Sequence, residues 1–280
     1  MKVRRVDFSN KNRIAILGGG NIGIAMAKGL IGSDRFSPGQ IIITRRKAHL
    51  LSSMAEQGFI TQTDNRDAVR RSEIIIIAVL PQQLKDLLHE IKDEIIPEKH
   101  IVISVVSGVN CDEIIKLIGK EISVVRVMPT MAVSIHESMT CIASDHAPQE
   151  ILDYVKSVFN SLGKTLIIRE EQMIPATALC ACGIAFFLRA VRAASQGGIE
   201  IGFHSDEAIL MAAQTAKGAT SLLLSSENHP EIEIDKVTTP EGCTISGLNE
   251  MEHRGFSSAM IKGIVTSSEK AADLYKSNED

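Results

Sequence analysis

Arg13-Ile14-Ala15-Ile16-Leu17-Gly18-Gly19-Gly20-Asn21-Ile22-Gly23 decides the fold. An apolar run of strand length ends in a GxGxxG spacing, and Asn21–Ile31 continues with helical periodicity. The three spaced glycines have separate uses. Gly18 permits a tight turn, Gly20 lets backbone approach a pyrophosphate, and Gly23 lets a helix pack closely on a strand. The helix behind them offers free N–H groups and a positive dipole end to phosphates. A glycine-rich turn without a ligand is the bland alternative. The position of this turn, at the first strand of a long alternating series, speaks against it.

Working outward, Gln40–Thr44, Ile74–Leu80, Ile101–Val105 and Ile122–Val127 read as strands. Between them fall helices through Met54, over Gln82–Lys92 and over Cys111–Ile118. Ile74–Leu80 is almost wholly apolar, as a strand buried on both faces must be. Such alternation predicts a parallel sheet with right-handed crossovers. A weaker strand at Met139–Ala143, a helix at Gln149–Leu162 and a strand at Thr165–Ile168 extend it.

After Arg169 only helical patterns remain. Met173–Ile201 is a long apolar helix, with a bend expected near Gly183 and loosening at Gly197–Gly198. A helix from Ser205 to Leu224, an acidic loop over Glu227–Asp235, and two helices over Thr244–Lys276 broken near Gly255 follow. The fold class is an α/β Rossmann-type doubly wound parallel sheet (residues 1–169) followed by an all-α domain (residues 170–280). The uncharged run Met173–Leu188 falls short of the ~18 residues of a membrane span. A helix apolar all round needs cover on every side. Few helices remain in the chain to provide it, so a second copy of the chain is expected.

The chain has 280 residues, 44% of them hydrophobic, and a net charge of −4. That composition excludes a mainly disordered chain. Low aromatic content (4%, no Trp) and slight acidity argue against nucleic acid as a partner. No signal-peptide pattern opens the sequence, and five cysteines without CxxC spacing suit reduced thiols in the cytoplasm. Cys180, Cys182 and Cys243 read as small core thiols, and the scattered histidines suggest no metal site.

The second strand refines the cofactor. An NAD site usually has Asp or Glu there for the ribose 2′-hydroxyl. Here the strand ends Thr44-Arg45-Arg46, with two guanidinium groups suited to a 2′-phosphate. NADPH is therefore preferred over NADH, although two solvated surface charges would look the same. The other carboxyl-end loops are Val79-Leu80-Pro81, Ser107-Gly108 and Met128-Pro129. Further on, Thr239-Pro240-Glu241-Gly242-Cys243-Thr244 is a Pro/Gly loop entering a helix, a seat for a carboxylate on unpaired N–H groups. An N-cap at Thr239 with Pro240 following fits the same residues.

Gly18–Gly23, Ala78-Val79 with Pro81-Gln82, Arg126-Val127-Met128-Pro129, and Thr239-Pro240, Gly242, Thr244-Ile245, Gly247-Leu248, Glu252 and Gly255-Phe256 together carry a resemblance. The chain resembles the pyrroline-5-carboxylate reductase family over nearly its whole length. That resemblance implies a Rossmann domain with a helical dimerisation domain, dimers often gathered into rings, and NAD(P)H-dependent reduction of Δ1-pyrroline-5-carboxylate to L-proline. It implies that Thr239–Thr244 hold the substrate carboxylate and that Thr244 bonds near the imine nitrogen. It also implies that Glu227, before a His-Pro pair, is an acidic residue beside the substrate. The chain departs from the family at Leu80 (usually Lys), Thr130-Met131-Ala132, Cys180–Phe186 and Glu241–Thr244 (usually Gly-Gly-Thr-Thr). Two other readings therefore stand beside proline synthesis: a paralogue reducing another small imine or carbonyl, and a non-catalytic NADPH-binding regulator.

Overall fold

The computed structural model describes residues 12–226 and 228–276. The chain divides into two compact units, one running through Ala181 and taking in the chain from Lys270, the other spanning Cys182–Glu269.

The first unit is built on one eight-stranded sheet. In chain order its strands are β1 (Ile14–Leu17), β2 (Ile41–Thr44), β3 (Ile60–Gln62), β4 (Ile74–Ile77), β5 (Ile101–Ser104), β6 (Val124–Met128), β7 (Ser138–Ala143) and β8 (Gly163–Ile167). Their spatial order is β3-β2-β1-β4-β5-β6-β7-β8. The order reverses between β1 and β4, which is where open α/β sheets bind ligands. Helices α1 (Asn21–Gly32), α2 (Ser52–Glu56), α3 (Asn65–Arg70), α4 (Pro81–Ile91), α5 (Cys111–Ile118) and α6 (Gln149–Asn160) connect them.

Successive residues of β1 feed opposite cores. Ile14 and Ile16 join one apolar cluster with Met26 and Leu30 of α1, while Ala15 and Leu17 join another with Leu84, Leu88 and Ile114. Both faces are covered, so the strand needs no polar alternation. Each fully buried Ile or Leu contributes about 1.5–3 kcal/mol.

Three features differ from the expected pattern. The sheet gains β3, with α3 after it; Ile-Thr-Gln is too short and polar to read as a strand, and only pairing with β2 makes it one. Strand β7 runs antiparallel to β6, whereas β8 returns parallel to β7, so the sheet is parallel except at one ladder. Finally, β4 stops at Ile77, and Leu80 already flanks α4, because Pro81 fits the first position of a helix.

Beyond Gln172 the chain is helical: α7 (Met173–Ala176), a π-helical turn (Thr177–Cys182), α8 (Gly183–Glu200), α9 (Ser205–Ser226), α10 (Pro230–Lys236), α11 (Cys243–His253) and α12 (Phe256–Lys276). The irregularity expected near Gly183 is the π turn just before it. No loosening occurs at Gly197–Gly198. Helix α8 continues to Glu200, and a Cβ on Gly198 would lie 3.1 Å from the Ala208 Cβ of α9, so this glycine serves close helix packing. The expected acidic loop holds α10 instead, capped by His229 Nδ1, which accepts from the Glu231 N–H at 3.3 Å.

Among the described residues, the helix Glu170–Glu200 is long and apolar enough to cross a membrane by length and composition, with mean hydropathy 1.8. The expectation that this stretch falls short of a span is corrected: counting only the uncharged run to Leu188 left out the rest of the apolar helix, which continues to Glu200. Several of its large apolar side chains lie outside, with Phe187 60% exposed and Leu188 61%, while Met173 is buried.

Candidate active site

The β1–α1 turn is shaped by contacts that exclude side chains. Gly18 adopts φ +117°, and a Cβ there would fall 2.3 Å from the Ala78 carbonyl oxygen. A Cβ on Gly23 would fall 2.2 Å from the Gly18 oxygen. Gly18 and Gly19 both donate their N–H to the Thr44 carbonyl, at 3.2 and 2.8 Å. Gly20 is different: nothing stands within 4 Å of a Cβ built there. It flanks α1 with no side chain capping the helix and no acid in the first turn. Open space, uncapped N–H groups and the dipole end together suit a phosphate. Asn21 is exposed and Ile22 half-buried beside it.

At the end of β2, Arg45 donates through Nη1 to the Gly19 oxygen at 2.9 Å, tying it to the glycine turn. Arg46 is exposed. Thr44 is buried, and its hydroxyl donates to Asn65 Oδ1 at 2.6 Å. The Asn65 amide in turn donates to Glu90 at 3.0 Å. Asn65 is a polar residue at this edge that the sequence reading missed together with β3 and α3. A signal existed: Asp64 caps α3 by accepting from the Asp67 N–H at 2.9 Å, an N-cap pattern.

The remaining first-unit candidates complete this carboxyl edge. Val79 is half-buried and Leu80 is 64% exposed, with no charge where the family usually has lysine. Ser107 is exposed, and Gly108 adopts φ +90°. Met128 is half-buried, while Pro129 is buried and supports the loop from behind. Ser104, Ser107, Arg126, Met128, Met173 and Thr177 line a small cavity here. Arg126 is nearly buried and pairs with Glu170 at 3.1 Å. Glu170 also accepts from the Cys111 N–H, at 2.8 Å, and so faces the start of α5. Its charge suits that dipole rather than the following helix's.

The proposed carboxylate seat lies in the second unit. Thr239 and Pro240 are exposed. Glu241 adopts φ +59°, and the Gly242 N–H donates to the Thr239 oxygen at 3.0 Å. A Cβ on Gly242 would meet Thr239 Oγ1 at 2.5 Å, so the loop folds tightly on itself. Gly242 flanks α11, which has no side-chain cap and no acid in its first turn. Thr244 is half-buried in that turn. Cys243 is exposed, not the core thiol expected. Glu227 lies outside the described residues. Nearby, Glu233 is held down to about 2, first by the Asn228 amide and then by Lys236. Among the described residues no cluster of His, Cys, Asp or Glu is arranged to hold a metal.

Residues 170–274 match the family model for pyrroline-5-carboxylate reductase dimerisation. Residues 13–108 match a model described as NADP oxidoreductase, coenzyme F420-dependent. The chain is 45% identical over 282 residues to pyrroline-5-carboxylate reductase 2 of Dictyostelium discoideum, covering 95% of this chain and 94% of the relative.

The chain belongs to the pyrroline-5-carboxylate reductase family.

It is also 54% identical over 276 residues to pyrroline-5-carboxylate reductase 1 of the same organism; that match spans 94% of this chain but about half (50%) of the relative's length. A solved pyrroline-5-carboxylate reductase from Coxiella burnetii superposes with a TM-score of 0.86 at 26% identity, covering 94% of this chain and 98% of that one. Family membership accounts for the exposed apolar helices. The match to the dimerisation model begins at residue 170 and takes in α7 to α11 and most of α12, which supports a homo-oligomer.

Proposed function

We propose that this chain reduces Δ1-pyrroline-5-carboxylate to L-proline with NADPH. The observation that carries this reading is the 45% identity, end to end, with a reductase of that name.

The structure fits the dinucleotide. Gly20 leaves open the space that a Cβ would occupy, beside an uncapped helix, and Arg45 and Arg46 follow β2 where an NAD site would carry an acid. Gly18, Gly20, Asn21, Ile22 and Gly23 would hold the pyrophosphate, and Thr44, Arg45 and Arg46 the 2′-phosphate end. Val79, Leu80, Pro81, Ser107, Gly108, Met128 and Pro129 would border the nicotinamide end. When bound, NADPH supplies the hydride. The chain's own part is to bind, orient and exclude water. Thr239, Pro240, Glu241, Gly242, Cys243 and Thr244 seat the substrate carboxylate on backbone N–H groups. The Thr244 hydroxyl orients the ring at its nitrogen and is too weak an acid to drive protonation itself. A protonated imine accepts hydride more readily, so the substrate reacts as the cation. Glu227 is the acidic residue assigned to that charge.

The finer organisation belongs to the same proposal: a dinucleotide-binding part over 1–169, a dimerisation and substrate part over 170–280, a homodimer that gathers into rings, a cytoplasmic location, and no membrane or nucleic-acid partner. Two observations favour a second reading. Leu80 is exposed and uncharged in place of the usual lysine, and Glu241 replaces a glycine in the seat, which suits a related small imine.

Oxidation of NADPH by purified protein with pyrroline-5-carboxylate, beside NADH and a panel of cyclic imines, tests the reading. Faster turnover with another imine selects the second. Tight NADPH binding without turnover on any of them removes the enzyme reading altogether.

A further inference from the structure

Two thiols meet behind the carboxyl edge of the sheet. Cys141 of β7 sits directly across the antiparallel ladder from Met128 of β6. The Met128 sulfur accepts from the Thr177 hydroxyl at 2.9 Å, and Thr177 opens the π turn that also carries Cys180. Cys141 is buried in a small cluster with Ala143 and Met173, and Cys180 packs against that same cluster beside Met128 and Ala176. The two thiols thus share one packed cluster, where they interact with each other. A π turn has a wider hydrogen-bond spacing than an α turn and is found frequently at functional sites. Here it carries a half-buried thiol to the cluster that holds a buried one.

We propose that Cys141 and Cys180 form a reversible redox pair, closed to a disulfide by a peroxide and reopened by a dithiol reductant. The Cys180 thiolate attacks a peroxide oxygen; the O–O bond breaks, leaving a sulfenic acid and one water (for hydrogen peroxide). Cys141 sulfur then displaces the sulfenic oxygen as a second water, and the S–S bond forms. Two thiols lose one hydrogen each, and one peroxide is reduced to two waters. Thiol exchange reverses the bond.

The local chemistry assigns the order. The neighbouring Cys141 thiol pulls Cys180 down to about 7, so it carries thiolate near neutral pH. The same contact, followed by burial, pushes Cys141 up. Cys180 is also the more accessible of the two. Cys111 is no competitor, because burial pushes it to about 12. Closing the bond fixes the Thr177 turn against β7 and so restrains Met128. The consequence for cofactor binding rests on the proposed reductase function; the disulfide does not.

The test treats the full chain with hydrogen peroxide, blocks remaining thiols, and maps the digest by mass spectrometry without reductant. The expected result is a Cys141–Cys180 cross-linked peptide, with two of the five thiols lost and both restored by dithiothreitol. Cys182→Ser keeps the link, and Cys180→Ser abolishes it. A Cys180–Cys182 link, oxidation of Cys180 to sulfinic acid without any link, or five intact thiols overturns the proposal, and the wild-type digest decides this without any variant. In parallel, KM for NADPH is expected to rise several-fold on oxidation and to recover on reduction. A linked protein with unchanged KM overturns the coupling to Met128. A reduced protein inactive on pyrroline-5-carboxylate overturns the functional reading and leaves the cross-link result standing.

Discussion

The two units place the same kinds of residues in opposite positions. In the first, Ile14, Ile16, Leu17, Ile42 and Ile43 are wholly buried. In the second, Leu210 is 70% exposed, Leu224 78% and Ile261 63%. A strand inside a covered sheet finds its apolar partners within its own chain. An apolar helix with few neighbours does not, and must find them on another copy. The difference shows that apolar content measures how much surface needs cover and leaves open who supplies it.

The comparison can be broken most sharply in the core. Phe159→Ala removes a wholly buried ring of α6 and is expected to cost about 3–5 kcal/mol. Leu224→Ala is expected to cost under about 0.5 kcal/mol in dilute, dissociated protein. Chemical unfolding of both variants measures the contrast; equal losses would show that the exposed helix is covered within the chain. Phe187→Glu with Leu188→Glu should shift the protein to smaller species in light scattering while leaving the spectroscopic signature of the sheet unit intact.

Function sharpens the same contrast, because the residues proposed for the cofactor belong to the first unit. Arg45→Ala with Arg46→Ala should raise KM for NADPH about 10–100-fold, from about 1.5–3 kcal/mol per charged hydrogen bond, and change KM for NADH little. Equal changes for both cofactors would remove the 2′-phosphate role. Thr244→Val should lower imine reduction markedly while NADPH still binds.

A smaller effect concerns Glu241, a non-glycine residue at φ +59°. Glu241→Gly relieves that strain and should stabilise the protein by about 1 kcal/mol, read as a rise in Tm. The last prediction is a slope against pH. His100 is buried, its Nδ1 accepting from the Ile96 N–H at 3.0 Å. Burial, with Lys99 nearby, lowers it from 6.5 to about 4. The native state therefore holds the neutral ring while the unfolded chain binds a proton first. This contribution is complete above pH 6.5 and is lost as pH falls towards 4. His100→Asn should flatten unfolding stability across that window, and an unchanged slope would assign it to other groups.

Much of this was legible in the residues. The GxGxxG turn, the apolar runs of β1, β4 and β5, and the C-terminal loop with its helix start stood in local patterns. Strand β3 did not, because Ile-Thr-Gln has no preference that survives without β2 beside it. The antiparallel turn of β7 was equally hidden, since direction is a property of connections and leaves no mark in a six-residue strand. Helix α10 was masked by its acidic residues, which a capped first turn tolerates. Asn65 and Glu170 acquired their roles only when distant segments met.

What the sequence determined by itself was the alternation of strands and helices through β1, β2, β4, β5 and β6, the glycine turn, and the lack of an acid after β2. These follow from periodicity, backbone sterics and charge, all local quantities. The tertiary structure decided which groups meet: Arg45 with Gly19, Glu170 with Arg126 and the start of α5, Cys141 with Cys180. Such pairs depend on register and on helix geometry, down to one π turn, and no local preference encodes them.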